Sequence, residues 1–146
     1  MATPGELAVD VFDQGFNCSQ AVFSVFTSQF GLDVKTALKL ASPFGGGFAR
    51  RGEICGAVTG ALLALGLAGA ADNPAGKEEI YRLSQEFMHS FQEKHSHLHC
   101  RVLIGCDIST PEGWQKAKMA GKFTTTCPVL VRDAAGIVQT LLKLQA

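Results

Sequence analysis

Apolar residues recur along the chain at three- and four-residue intervals, and Gly and Pro cut that pattern into helices. Residues 5–13 set Leu7, Val9, Val11 and Phe12 among polar neighbours, and Gly15 ends this short first helix. Asn17 then reads as an N-cap with Gln20 at the capping-box position. The helix behind it carries Ala21, Val22, Val25, Phe26 and Phe30 on one face, as far as Gly31. A third helix is predicted over 34–41, stopped by Pro43 and Gly45–Gly47, and the segment SPFGGGFARRGE has no period at all. Residues 54–68 predict a buried helix, whose Gly56, Ala57, Gly60, Ala61 and Ala64 form a small-residue surface that another backbone can approach closely. After a turn at 72–76, a long amphipathic helix is predicted from Lys77 to about His99, with Ile80, Leu83, Phe87, Phe91 and Leu98 facing inward. Residues 105–126 are mixed. STPEGW (109–114) opens a short helix with Pro111 in its first turn, and Gly121 ends it. Thr126 or Cys127 is expected to cap a last helix, with Pro128 just inside and Val129, Leu130, Ala134, Ile137, Val138 and Leu141 as its apolar face.

No stretch alternates apolar and polar residues in the manner of a strand. The pattern therefore predicts an all-α fold: one domain over 1–146, a bundle of five to seven helices packed around the Gly/Ala-rich helix at 54–68. With 47% hydrophobic residues the chain can fill such a core. Residues 54–71 run for 18 positions without a charge, the short end of a bilayer span. Their Gly and Ala content favours a buried helix in a soluble core over membrane insertion. The 13 basic and 13 acidic residues cancel, which removes the electrostatic argument for nucleic acid or an anionic membrane as partner. The N-terminus MATPGELAVDVFDQG lacks the charged and apolar regions of a signal peptide.

The candidate chemistry lies in five cysteines: Cys18, Cys55, Cys100, Cys106 and Cys127. An odd number at wide spacing is unlike a secreted disulfide scaffold and points to a reducing cytoplasm. Cys18, Cys55 and Cys127 fall at predicted helix starts, where unpaired N–H groups and the helix dipole favour a thiolate. The plainer alternative is core packing, because free cysteine is among the most buried residue types.

Two further groups stand out. In HSHLHC (95–100), His95 and His99 would share a helix face beside Cys100. That suits either zinc or simply a polar helix end, where imidazoles meet the negative end of the dipole; His97 lies between them. Gly45, Gly46 and Gly47 with Arg50 and Arg51 could hold a small oxyanion or a cofactor phosphate, or form a turn that passes near Cys55. Neither GxGxxG nor GxxxxGK[ST] is present, so no nucleotide is implied.

Four segments together resemble the C-GCAxxG-C-C family of redox-active proteins. They are GFNCSQAVF (15–23), FGGGFARRGEICGAVTGALLALGL (44–67) with its CGAxxG motif at 55–60, HCRVLIG (99–105) and TTCPVLVRDAA (125–135). The resemblance implies a functional set of Cys18, Cys55, Cys100 and Cys127, with Cys106 outside it. The four could act as thiol–disulfide pairs, Cys18 with Cys55 and Cys100 with Cys127, or ligate one iron–sulfur cluster or zinc ion. The partner would be a redox protein or a small-molecule substrate. The Gly-rich helix face could pack within one chain or between two, which makes a homodimer an expectation.

Overall fold

The computed structural model describes residues 2–145; Met1 and Ala146 lie outside it. Helix α1 (Pro4–Asp13) begins at Thr3, whose hydroxyl accepts from the Glu6 N–H. Helix α2 (Cys18–Thr27) begins with the capping box the sequence predicts: Asn17 Oδ1 accepts from the Gln20 N–H, and Gln20 Oε1 accepts from the Asn17 N–H, both at 2.9 Å. Gly31, at φ 84°, closes the turn that follows. Helix α3 (Val34–Ala41) has Asp33 as its N-cap.

A short turn, α4 (Gly45–Phe48), precedes the central helix α5 (Gly56–Gly69). Then come α6 (Lys77–His95), α7 (Cys100–Ile104), α8 (Pro111–Met119) and α9 (Lys122–Gln145). The α4 turn is left-handed, so eight ordinary right-handed helices remain among the described residues, one more than the predicted upper bound. Cys100–Ile104 is the helix the sequence hid, being too short to show a period.

Helix α5 is apolar all round and is buried by α2, α6 and α9, with α1 bridging α2 and α9. Its small-residue face is filled from within the chain. A Cβ on Gly60 would lie 2.5 Å from the Ser19 carbonyl oxygen, and one on Gly56 would lie 3.1 Å from Cys18 Cβ. Glycine at these two positions lets the first turn of α2 touch the α5 backbone, so this face is not available to a second copy. No helix among the described residues is long and apolar enough to cross a membrane.

Two boundaries differ from expectation. Helix α6 stops at His95 because Ser96 turns into the left-handed region (φ 73°). The chain then runs extended, and His99 pairs with Ile54 in an isolated antiparallel bridge. Helix α9 starts at Lys122, after Gly121 (φ 72°), and carries Pro128 in its interior. The Thr124–Thr126 run and Pro128 mimic a helix start in sequence, but the Thr124 and Thr125 hydroxyls bond back to the Gly121 carbonyl and hold an earlier one.

Candidate functional site

The four cysteines of the sequence motif converge where α2, α5, α7 and α9 meet, and each arrives by a different route. Cys18 is the first residue of α2, set by the Asn17 cap. Cys55 is the N-cap of α5, and Cys100 is the first residue of α7. The bridge between Ile54 and His99 fixes these last two together. The Cys55 N–H donates to the Leu98 carbonyl and the Cys100 N–H to the Glu53 carbonyl, both at 2.7 Å. Cys127 lies well inside α9, not at its start. Three cysteines do open helices, but the third is Cys100 rather than Cys127.

Cys55, Cys100 and Cys127 are buried and Cys18 is half-buried. A second small apolar cluster, separate from the main core, joins Cys100, Cys127, Ile104, Ile108 and Ala117, with Phe12, Cys18, Trp114 and Phe123 packed around it. Cys106 packs in this cluster too, but it does not line the cavity described below.

The thiols differ sharply in acidity. The Cys127 sulfur beside it, burial and the other neighbouring sulfurs hold the Cys18 thiol well above the usual range. The same interaction with Cys18 holds Cys127 below that range, although burial works against it. Burial pushes Cys55 up to about 11, with the N–H groups of Ala57 and Val58 countering part of the rise. Burial and the charges of Cys55 and Cys127 push Cys100 up to about 12. Helix starts therefore do not decide which thiol ionises. Desolvation outweighs the dipole at Cys55 and Cys100, while at Cys18 and Cys127 the interaction between the two thiols leads, raising one and lowering the other. The sequence expectation pairs Cys18 with Cys55 and Cys100 with Cys127; the opposed acidities are those of Cys18 and Cys127.

The thiols open onto a cavity of about 530 Å³ lined by Cys18, Cys100, Cys127, Gly45, Arg50 and Trp114 among others. One wall is unusual. Residues 46–50 all have positive φ, from 53° to 68°, including Phe48, Ala49 and Arg50. Left-handed backbone costs about 1–2 kcal/mol for each residue that carries a Cβ. The loop is held by N–H bonds from Gly52 to the Gly46 carbonyl and from Glu53 to the Gly47 carbonyl, at 3.1 and 3.0 Å. Gly45 lies against Asn17, where a Cβ would sit 2.3 Å from the side chain. The three glycines thus give a tightly wound wall beside the thiols rather than a flexible turn. Arg50 projects from that wall onto the Trp114 ring, 4.9 Å from its centroid. Trp114 is half-buried and lines the cavity.

The histidines do not join this site. His95 stacks on Phe91 and bonds Asp133 Oδ2 at 2.9 Å, tying α6 to α9. His97 and His99 are exposed, and His99 lies in the bridge rather than on a face shared with His95. Among the described residues, no group of three or more His, Cys, Asp or Glu side chains is arranged to hold a metal ion.

The sequence profile of the C_GCAxxG_C_C family, described as "putative redox-active protein", matches residues 16–141. No curated protein and no solved structure shows significant similarity to the chain.

Proposed function

The chain belongs to the C_GCAxxG_C_C family, and we propose that it is a thiol–disulfide redox protein in which Cys127 is the attacking thiolate and Cys18 the resolving thiol. What supports this reading is that Cys18 and Cys127 line one cavity, where their interaction favours a proton on the first sulfur and charge on the second. The Cys127 thiolate attacks a disulfide RSSR, forms the mixed disulfide and releases RS⁻. Cys18 then attacks the Cys127 sulfur and expels the second RS group, and its proton leaves with one of the two products. The substrate gains two electrons as RS⁻ and RSH, and the protein is left with a Cys18–Cys127 disulfide. A dithiol reductant restores it. Cys55 and Cys100 form a reserve pair behind the first. All five cysteines are free thiols, which suits a reducing cytoplasm. The partner is a small disulfide or a dithiol protein.

The test is a thiol count on anaerobically purified protein across a glutathione redox series, with the disulfides mapped by peptide mass. Two thiols should disappear together first, mapped to Cys18 and Cys127, and Cys127→Ser should abolish that step. Thiols that react only after denaturation would overturn the reading and leave the cysteines as packing.

A further inference from the structure

A second cleft, of about 680 Å³, opens beside the thiol cavity and shares Ala49, Arg50, Ile108 and Trp114 with it. Three arginines line it, Arg50, Arg51 and Arg101, and no acidic side chain does. Arg101 is fixed by its Nη2 donating to the Arg51 carbonyl at 3.0 Å, and its side chain lies over Gly52. Arg50 is held by the left-handed backbone and by Trp114. The one nearby carboxylate, Asp107, stands 3.6 Å from Arg101 and accepts from the Ser109 N–H and hydroxyl. Among the described residues, Arg50 and Arg51 have no ion pair. Three guanidinium groups in one cleft beside the thiols, of which Arg101 alone has an acidic partner, are suited to taking up a carboxylate through paired N–H donors. The left-handed wall that presents Arg50 is the strained kind of backbone that gathers at functional sites.

We propose that this cleft binds the carboxylate-bearing arm of a low-molecular-weight disulfide, so that Arg50, Arg51 and Arg101 select anionic substrates for Cys127. The inference rests on the thiol–disulfide reading. In the exchange step written above, R is then an anionic group, and both the first RS⁻ and the final RSH leave past the arginines.

Trp114 is the single tryptophan and lies in the walls of both cavities, so its fluorescence reports each event. The reduced protein is mixed in stopped flow with oxidised glutathione, with neutral 2-hydroxyethyl disulfide and with cationic cystamine. Binding of S-methylglutathione, which cannot exchange, is titrated separately. The expected order of rates is anionic, then neutral, then cationic, with the anionic advantage shrinking as salt rises. In the double variant Arg51→Gln, Arg101→Gln, the ratio of the glutathione rate to the neutral rate should fall about tenfold, the scale for losing hydrogen bonds to charged groups. Saturable S-methylglutathione binding should weaken in parallel. Both substituted side chains are exposed, and circular dichroism checks that the fold is kept. Oxidation with no charge preference and no binding overturns the cleft and leaves the thiol reading standing. Binding without oxidation by any of the three overturns the thiol reading and keeps the cleft as an anion site.

Discussion

Cys18 and Cys127 meet through their side chains, whereas Cys55 and Cys100 are brought together by backbone. In the first pair the interaction between the thiols splits the acidities, one thiol raised and the other lowered. In the second, the bridge at Ile54 and His99 fixes the two segments, the Ala57 and Val58 N–H groups offset only part of the burial at Cys55, and burial raises both thiols, to about 11 and about 12. Proximity alone therefore does not make a nucleophile here. What separates the pairs is an interaction that stabilises one anion against a common desolvation penalty. The comparison divides the work: the side-chain pair reacts, and the backbone pair stays protonated until something draws on it.

The largest expected effect strikes the backbone pair. Unfolded thiols lose their protons near 8.5–9, while the folded protein holds those of Cys55 and Cys100 to about 11 and about 12. Between these values the unfolded chain binds fewer protons than the folded one, so stability is full below about pH 8.5 and falls as pH rises. The slope is about 1.4 kcal/mol per pH unit for each buried thiol. By pH 11 the two together should remove several kcal/mol. Urea unfolding at pH 8, 9.5 and 11 checks this, and Cys100→Ala should remove about a third of the slope, because the Cys18 thiol is held up as well. An unchanged midpoint up to pH 11 would mean that these thiols are not desolvated as the structure has them.

Next in size is the contrast between Cys127→Ser and Cys55→Ser. At neutral pH the first should slow iodoacetamide alkylation by up to about thirtyfold, the advantage of a full thiolate over a thiol ionised to a few per cent, because it removes a thiol held below the ordinary range. The second should change it less than about threefold. Equal effects would erase the distinction between the pairs.

The packing that brings Cys18 into place can also be broken. Gly60→Ala drives a methyl into the Ser19 carbonyl, 2.5 Å away. Helix backbones cannot yield as a flexible side chain can, so we expect a loss of about 1–3 kcal/mol in thermal or urea unfolding. Gly66→Ala on the same helix meets nothing within 4 Å and serves as the control. Helix propensity favours alanine at both positions, so an equal gain in the two variants would mean that the α2–α5 contact does not resist the methyl.

These predictions mark where the sequence could be read and where it could not. The bundle was legible because its signals are local: the Asn17–Gln20 capping box, the Asp33–Ala41 helix, and the Gly56 and Gly60 face. The four cysteines were legible as a set from the family motifs. Their partners were not, because pairing depends on where Cys127 sits in α9, and the threonines with Pro128 mask the true start at Lys122. The wall beside them was hidden for a different reason. Phe48, Ala49 and Arg50 carry no sequence sign of positive φ, since that conformation is imposed by the surrounding hydrogen bonds and not by preference. Arg101 joined the site only once the short helix α7 was seen.

The smallest expected effect is the most discriminating. Cys18→Ala removes the thiol that holds the Cys127 pKa down, and so raises it toward the ordinary thiol value. The thiolate fraction at neutral pH then falls, and alkylation there should slow about tenfold for every pH unit that the Cys127 titration midpoint climbs. Above pH 9.5 the variant and the wild type should converge, because both carry the thiolate there. Cys18→Ser keeps an O–H donor and should restore part of the neutral-pH rate. A variant that merely loosened the packing would change the rate at every pH and leave the midpoint of the profile in place. The position of that midpoint, measured from pH 5 to pH 10 for the three proteins, therefore decides whether Cys18 acts through its proton or only through its volume.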